Sequence, residues 1–388
     1  MMLGYLLARA GVQTAVFEKH ADFLRDFRGD TIHPSTLDVM DELGLLDELL
    51  KRPHQEIREL SGNIGGERIR LADFSHVPTR CKFVALMPQW DFLDFLAAHA
   101  ERYPTFTLRR QAEVVDIIEE GGRVVGVRVK TRDGALDVRA DLTVGGDGRS
   151  SVVRERAGLV VEDIGAPIDV LWIRMSRKAS DPGQTFGHAE PGGFLVLLNR
   201  DTYWQCAFVI AKGGIDAIRA KGLEAFRQRL ATLEPFLAER VHELRDWDDI
   251  KLLTVKIDRL REWYRDGLLC IGDAAHAMSP IGGVGINLAI QDAVAAANIL
   301  AERLRGNRCS IDDLRRVQER REWPMKAVQW VQRVIQDRVV APTLDRATPL
   351  SAPWPLKLMD RIPVLRRIPA RFVGVGIRPE HVHTPEAA

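Results

Sequence analysis

Residues 267–287 read GLLCIGDAAHAMSPIGGVGIN. Leu268–Ile271 is a short apolar run that predicts a buried strand. Gly272 and Asp273 follow directly, so a carboxylate is expected at the carboxyl end of that strand, the edge at which α/β folds bind ligands.

A glycine-rich loop follows this acid and leads into a long alanine-rich helix that is predicted to reach Leu304. Bare glycine backbone lets a flat ring lie close, and the amide groups and dipole of the helix N-terminus would stabilise an anionic reduced flavin. The alternative is a loop shaped only for helix packing, which explains poorly why an acid, a proline and spaced glycines converge here. The residues concerned are Pro280, Gly282, Gly283, Gly285, Ile286 and Asn287.

A second strand-and-acid motif lies earlier in the chain. The apolar run Leu142–Val144 precedes two glycines, then Asp147 and Gly148, and a helix is expected to start at Ser150 or Ser151. Taken alone, this pattern fits an ordinary strand–turn–helix equally well.

The N-terminal residues resemble the second half of a Rossmann βαβ unit. Met2–Ala10 predicts a helix that ends at Gly11, and Gln13–Phe17 predicts a strand that ends at Glu18. An acid in that position binds the ribose hydroxyls of an adenine dinucleotide, although a solvated acid after any strand is the plainer alternative. The first half of the unit, a strand and GxGxxG, is expected upstream, because residue 1 already falls inside the helix.

In their order along the chain, the three motifs resemble those of the FAD-dependent aromatic hydroxylases, the flavoprotein monooxygenases related to para-hydroxybenzoate hydroxylase. Residues 267–287 are similar to the GD motif of that family, and residues 145–151 are similar to its DG motif. The resemblance covers most of residues 1–305 and is weakest in 160–250.

The resemblance implies FAD contacts at particular positions of this chain. Glu18 would bind the ribose, Arg28 would lie near the flavin and pyrophosphate, and Gln89 would lie beside the ribityl and phosphate chain. Asp273 would bind the ribityl chain, and Asp147 would meet both FAD and NAD(P)H. Arg28 could equally be a surface arginine, and Gln89 a polar residue at a helix start. The full implied set is Glu18, Arg28, Gln89, Asp147, Gly148, Gly272, Asp273, Pro280, Gly282, Gly283, Gly285, Ile286 and Asn287.

The expected architecture is α/β, with a Rossmann-like FAD-binding domain, an inserted α+β substrate domain and a helical C-terminal region. Gln89–Ala100 predicts an amphipathic helix, and residues 112–144 predict a β-meander that turns at two glycine-containing pairs. A further helix is predicted within Asp30–Leu50, with a capping-box-like start at Ser35 and Asp38. The predicted boundaries are 1–56, 81–158 and 256–305 for the FAD domain, 57–80 and 159–255 for the substrate domain, and 306–388 for the C-terminal region.

The reaction implied by the resemblance is hydroxylation of an aromatic or polyketide-like small molecule with NADH or NADPH and O2, through a C4a-hydroperoxyflavin. That chemistry needs no metal and no protein nucleophile, and no catalytic residue is assigned. His276 is expected to support the GD loop, and neither it nor His33 is expected to act as acid or base. Five aromatic residues are candidates for an apolar substrate lining, although each is more commonly plain core: Trp172, Phe186, Phe194, Trp204 and Phe208.

Two alternatives remain open at this point. Related flavoproteins with the same motifs reduce isoprenoid double bonds without using oxygen. A chain that truly began at Met1 could also be a non-catalytic binding protein on a degraded flavin fold.

The composition is compatible with these expectations and excludes other classes. The chain has 388 residues, with 55 Lys plus Arg against 54 Asp plus Glu, so no basic excess indicates a nucleic-acid partner. Its four cysteines, Cys81, Cys206, Cys270 and Cys309, form no CxxC pair, which disfavours zinc and disulfides and fits a cytoplasmic protein. No apolar run is long enough to predict a transmembrane segment. A homodimer is an open expectation for the oligomeric state.

The C-terminal tail interleaves basic and apolar residues. Trp354–Ile377 contains Arg361, Arg366, Arg367 and Arg371 among apolar residues, a pattern that would suit contact with a membrane surface. Its prolines interrupt any long amphipathic helix, so a packed C-terminal cap is the favoured expectation.

Overall fold

The computed structural model describes residues 1–24, 31–183, 185–345 and 350–387. The α-helices of these residues are α1 Met2–Arg9, α2 Pro34–Glu42, α3 Leu46–Leu49, α4 Gln89–Ala100, α5 Val152–Arg156, α6 Ile215–Ala220, α7 Leu223–Leu233, α8 Gly285–Arg305, α9 Ile311–Ile335, α10 Ala341–Asp345, α11 Trp354–Arg361 and α12 Arg367–Gly374. A π-helical turn, Gln336–Val340, joins α9 to α10.

The strands fall into several sheets. They are β1 Thr14–Glu18, β2 Thr31–Ile32, β3 Gln55–Ile57, β4 Glu59–Ile64, β5 Glu67–Asp73, β6 Val84–Leu86, β7 Phe106–Arg110, β8 Glu113–Glu120, β9 Arg123–Thr131, β10 Gly134–Arg139, β11 Thr143–Gly145, β12 Val161–Asp163, β13 Ile168–Ser176, β14 Phe186–Glu190, β15 Gly193–Asn199, β16 Tyr203–Ala211, β17 Lys251–Leu253, β18 Asp258–Leu260, β19 Tyr264–Arg265, β20 Leu268–Cys270 and β21 His276–Ala277.

The Rossmann-like part contains two parallel strand pairs, β1 with β7 and β11 with β20. Helix α1 packs closely on β1, because a Cβ on Gly4 would lie only 2.7 Å from Cγ2 of Val16. The buried side chains of α1, α2, α4, α8 and α9 share one hydrophobic core with β20. The predicted α/β class and the helical C-terminal region are thus confirmed.

The β-meander is formed by β8, β9 and β10 in antiparallel order. Its first hairpin turns at Gly121 and Gly122, whose φ angles of 58° and 81° suit the primed turns that match strand twist.

A large mixed sheet has the strand order β17-β13-β16-β15-β14-β4-β5. Every neighbouring pair is antiparallel except β14 and β4, which run parallel. One face packs against α7, and the opposite face packs against Ile281, just before α8, and against Val340, in the turn between α9 and α10. Because both faces are largely covered, β16 is apolar at almost every position, whereas Asp169, Arg174 and Ser176 interrupt the apolar residues of β13.

The helical region after β2 differs from the prediction made for Asp30–Leu50. Helix α2 begins at Pro34 after an extended His33, and no side chain caps it, so the predicted capping box is wrong. A proline fixed near helical φ is itself a good first residue, and Gly44 at φ 70° then separates α2 from α3.

Helix α8 is the central helix of the Rossmann-like core. Ile281–Arg305 is the one segment among the described residues that is long and apolar enough to cross a membrane. Its apolar window is 72% buried, and its side chains contribute to the same core as α1 and α9.

Candidate functional site

The two acid motifs lie at the ends of neighbouring parallel strands. Residue Gly145 of β11 pairs with Cys270 of β20, so both strands deliver their motifs to one edge of the sheet. Burial, and then the nearby carboxylate of Asp147, raise the pKa of Cys270 to about 12, so this cysteine stays a neutral thiol. Across the same edge, Nη2 of Arg149 lies 3.9 Å from Oδ2 of Asp273. The structure therefore brings Asp147 and Asp273 to the same edge.

The turn that carries Asp273 is pressed against helix α8. Gly272 has a φ of 57°, and a Cβ there would lie 2.9 Å from Cβ of Ala289. Its amide donates to Oδ2 of Asp292 at 3.0 Å. A Cβ on Gly285 would lie 3.9 Å from Oδ1 of Asp273, so the carboxylate faces the first residue of α8.

The glycine loop before α8 is fixed by contacts that only glycine permits. Gly282 and Gly283 have φ angles of 78° and 62°. A Cβ on Gly283 would lie 2.3 Å from Oγ1 of Thr31, and the Thr31 hydroxyl donates to the Gly283 carbonyl at 2.8 Å. The loop is therefore fastened to β2.

The side chain of Asn287 completes this fastening. Its Oδ1 accepts from the amide of His33 at 2.9 Å and from the hydroxyl of Thr36 at 2.7 Å. Its Nδ2 donates to the carbonyl of Thr31 at 3.1 Å and to that of Gly283 at 3.3 Å. The amide group of Asn287 thus holds the loop together, so a contact between Asn287 and FAD would have to come from its backbone.

Open space borders other glycines of the site. Apart from the adjoining residues of the chain, no described atom lies within 4 Å of a Cβ built on Gly146 or Gly148, and a Cβ on Gly282 meets only Val284, at 3.6 Å. Bare backbone, two carboxylates and a helix N-terminus at one sheet edge suit the hydroxyls, phosphates and flat ring of FAD. The residues present fit this cofactor.

The remaining predicted contacts lie on neighbouring elements. Glu18 ends β1 and accepts from the amide of His20 at 2.9 Å. Gln89 is the first residue of α4 and follows β6, the strand that pairs with Thr31. Oδ2 of Asp147 accepts from the amide of Val153 at 3.3 Å in the first turn of α5. Arg28 lies outside the described residues.

A buried charge network supports the Asp273 turn from behind. Nε2 of His276 lies 2.6 Å from Oδ2 of Asp292, and Nε of Arg321 donates to Oδ1 of Asp292 at 3.1 Å. Burial acts to raise the pKa of Asp292, but His276, Arg321 and the Gly272 amide outweigh it and hold that pKa below its ordinary value. His276 is 1% exposed, which agrees with the supporting role expected from the sequence.

Three buried glutamines of α9 and the turn after it bind the backbone that leads to the glycine loop. Nε2 of Gln329 donates to the carbonyl of Ala277 at 3.2 Å, and Nε2 of Gln336 donates to Oγ of Ser279 at 2.8 Å. Gln332 accepts from the Ser279 amide at 3.2 Å and donates to the Ser279 carbonyl at 3.0 Å. It also donates to the Ile281 carbonyl at 2.8 Å.

We call Gln329, Gln332 and Gln336 the glutamine ladder. The sequence analysis missed it, although the spacing of three and four residues, which places side chains on one helix face, was a visible signal.

Comparison with known proteins agrees with this geometry. The family model described as FAD binding domain matches residues 1–331. The 6-methylpretetramide 4-monooxygenase of Streptomyces rimosus is 32% identical over 374 residues, which cover 96% of this chain and 89% of that protein. The chain belongs to the FAD-dependent aromatic hydroxylases. This confirms the family, the monooxygenase class and the FAD cofactor predicted from the motifs.

Two further relatives of this FAD-dependent monooxygenase extend the comparison. The 12-dehydrotetracycline 5-monooxygenase/anhydrotetracycline 6-monooxygenase of Streptomyces rimosus subsp. rimosus is 29% identical over 303 residues, which cover 76% of this chain and 59% of that protein. Among solved structures, pqsL of Pseudomonas aeruginosa, described as a probable FAD-dependent monooxygenase, matches with a TM-score of 0.74 and 25% identity. That match covers 89% of this chain and 93% of pqsL.

Proposed function

We propose that this monooxygenase hydroxylates a flat, polycyclic, polyketide-like aromatic compound that lies on one face of the seven-stranded sheet. The observation that carries the proposal is that this face packs together with Ile281 of the glycine loop. A ring held there would lie beside the loop that the flavin ring is expected to follow.

The proposed substrate face is apolar and built from flat or branched side chains. Trp172, Phe194, Val196 and Val209 belong to the cluster that includes Ile281. Apolar walls of this kind suit an uncharged ring system and keep water away from the reacting atoms.

A polar group lies further along the same face. In β16, Gln205 is two residues from Ala207, the partner of Trp172, so the two side chains share a face. Gln205 is buried, and its Nε2 has no hydrogen-bond acceptor among the described residues. It would donate to a phenol or carbonyl oxygen of the substrate and so orient the ring.

The two Streptomyces relatives support this class of substrate. One is named for 6-methylpretetramide and the other for 12-dehydrotetracycline and anhydrotetracycline, and the first aligns with nearly the whole of this chain. The substrate of this chain is proposed from that likeness together with the apolar sheet face.

Residues at the sheet edge would hold the cofactor. When bound, FAD supplies the redox chemistry by which electrons from NADH or NADPH and one atom of O2 reach the substrate. Asp273 would accept hydrogen bonds from the ribityl chain, and the amides at the start of α8 would stabilise negative charge on the bound flavin. Asp147 would lie where the reductant approaches, as the resemblance implies.

The test is a substrate screen with the FAD-loaded protein. We expect substrate-dependent NAD(P)H consumption and entry of isotope-labelled oxygen from O2 into the product. Replacing Asp273 by Asn should lower the FAD content of the purified protein, while Asp133→Asn, at an exposed hairpin tip, serves as the matched control.

The same experiment separates the alternatives. Product formation without labelled oxygen would indicate a flavin-dependent reductase. A protein that stays colourless when FAD is added would indicate a non-catalytic flavin-fold binding protein.

The domain division and the oligomeric state are two further parts of the proposal. We propose the division into FAD domain, substrate domain and C-terminal region at the boundaries given above, because β4 and β5 join β13–β17 in one sheet. A homodimer is a further proposal, and sedimentation equilibrium of the FAD-loaded protein tests it.

A further inference from the structure

We propose that the segment from Ser351 to Arg371, here called the C-terminal face, docks this enzyme on an anionic lipid surface. The segment comprises α11, a short 3-10 turn at Pro363–Arg366, and the first five residues of α12. Three features support the proposal: exposed apolar side chains, their position on the helix faces that look away from β5, and the sign of the unpaired charges.

The C-terminal face exposes an unusual amount of apolar side chain. Soluble proteins expose single apolar residues routinely, but a contiguous group marks an interaction surface. The exposed residues and their exposed fractions are Trp354 at 74%, Leu358 at 41%, Ile362 at 42%, Val364 at 59% and Ile368 at 67%.

In both helices the exposed side chains face away from strand β5. In α11 the residues Trp354, Leu358 and Arg361 are exposed, which is the i, i+4, i+7 spacing of one helix face. In α12 the exposed residues include Ile368 and Arg371, and Ala370 is fully buried. Both helices pack against β5, so their exposed faces look away from that strand.

Ion pairs with neighbouring strands neutralise the inward-facing charges of the segment, of which Lys357 and Arg366 are basic and Asp360 is acidic. Lys357 lies 2.8 Å from Glu67, and Asp360 lies 2.9 Å from Arg70. Arg366, which is buried, lies 3.5 Å from Glu59.

The outward-facing charges are all positive. Arg361, Arg367 and Arg371 are exposed, and none has an ion-pair partner in the part of the chain that the structure describes. The C-terminal face therefore presents apolar side chains flanked by three arginines and by no acid, on a protein whose formal net charge is only +1.

An anionic lipid surface matches this combination better than a second copy of the chain. A twofold interface would bring the face against itself and oppose arginine to arginine. At a membrane, apolar side chains enter the acyl boundary, tryptophan lies at headgroup depth, and arginines reach the lipid phosphates. The lipid surface pairs every group that the protein leaves unpaired.

A second exposed aromatic site on the molecule provides a matched control. Trp330 on α9 is 67% exposed, nearly as much as Trp354. Its basic neighbours are neutralised, since Lys326 lies 2.8 Å from Glu322 and Arg333 lies 3.4 Å from Asp337. The proposal assigns no lipid contact to Trp330.

The experiment is vesicle co-sedimentation of the full-length, FAD-loaded enzyme. We expect binding to vesicles of phosphatidylglycerol and phosphatidylcholine, little binding to phosphatidylcholine alone, and weakening as salt rises. Reversing Arg361, Arg367 and Arg371 to Glu together should reduce partitioning on the order of a hundredfold. Trp354→Ala with Ile368→Ala should reduce it about tenfold or more, while Trp330→Ala and Arg132→Glu should not change it.

Several outcomes would overturn the proposal. They are failure of the wild-type enzyme to bind anionic vesicles, equal binding to both vesicle types, or equal loss in the control variants. A wild-type dimer that the C-terminal-face variants dissociate would assign the face to a second copy. FAD absorbance and thermal unfolding of each variant report whether it is folded, and the salt dependence of the wild type tests the charge argument without any substitution.

Discussion

The glutamine ladder gives the sharpest test of how the flavin loop is held, and Gln332 is its central member. We predict that Gln332→Leu weakens FAD binding, although Gln332 is hydrogen-bonded to none of the described residues that are predicted to bind FAD. Leucine is similar in volume, so the change removes hydrogen bonds with little loss of packing. Gln332 makes three such bonds, to the Ser279 amide, the Ser279 carbonyl and the Ile281 carbonyl.

The magnitude follows from the groups that lose their partner. A buried amide left without a partner costs about 1–3 kcal/mol, and carbonyls tolerate under-satisfaction better. For the unpaired backbone groups of Ser279 and Ile281 together, we expect a destabilisation of about 2–4 kcal/mol. If residues 277–281 become locally disordered, the free energy needed to order them again reduces the free energy of FAD binding. A reduction of 1.4 kcal/mol already raises Kd about tenfold.

The assay is titration of the apoprotein with FAD, followed by flavin fluorescence, together with urea unfolding. Gln332→Glu distinguishes the bond to the Ser279 amide from the bonds to the two carbonyls, because a carboxylate still accepts from the amide but repels the carbonyl oxygens. Gln228→Leu, on the exposed side of α7, is the matched control. If Gln332→Leu matches this control in both FAD affinity and urea midpoint, the ladder does not hold the loop, and the reasoning is refuted.

Two further predictions concern the same loop. Gly283→Ala should destabilise the protein by about 2 kcal/mol and weaken FAD binding, because the φ of 62° is strained for alanine and the new Cβ would meet Thr31; an unchanged urea midpoint would contradict this. Burial lowers the pKa of His33 from 6.5 to about 4, so the unfolded chain binds a proton between these values that the folded chain does not. The free energy of unfolding should therefore fall as the pH drops from about 6.5 to 4, by up to about 3 kcal/mol, and His33→Gln should lose this dependence.

Local patterns predicted those elements whose signal is contained in a few consecutive residues. The helix Gln89–Ala100 has the predicted bounds, and the hairpin turns at Gly121 and Gly122 as expected. The glycine loop likewise leads into a long helix, α8. In each case the residues that specify the structure are adjacent in sequence, so periodicity and turn chemistry suffice.

The sequence could not assign faces of the large sheet. Trp172 and Phe194 lie on the face shared with Ile281, whereas Trp204 and Phe208 lie on the opposite face under α7. Phe186 also packs on the α7 side. Because both faces are buried, hydrophobicity carries no information about which is which, and only the strand register decides it.

Side-chain contacts between residues far apart in the chain could likewise not be predicted from the sequence. Asn287 was expected along the flavin, but its amide group is engaged by His33, Thr36 and Thr31. No short motif encodes that pairing, since it depends on β2 lying beside the start of α8. A motif therefore predicted the position of the loop correctly without predicting which of its side chains hold it in place.

The acid–histidine core behind the GD motif shows why such a short motif depends on the rest of the chain. Asp292 is fully buried and fixes the Gly272 amide, yet a buried carboxylate is costly unless it is paired. His276 and Arg321 provide that pairing, and Arg321 in turn lies 3.2 Å from Oε1 of Glu380. Arg321 and Glu380 are also buried, so removing Arg321 would take one ion-pair partner away from each of two buried carboxylates, Asp292 and Glu380. The C-terminal residues around Glu380 are therefore part of what holds the turn that presents Asp273 to the cofactor.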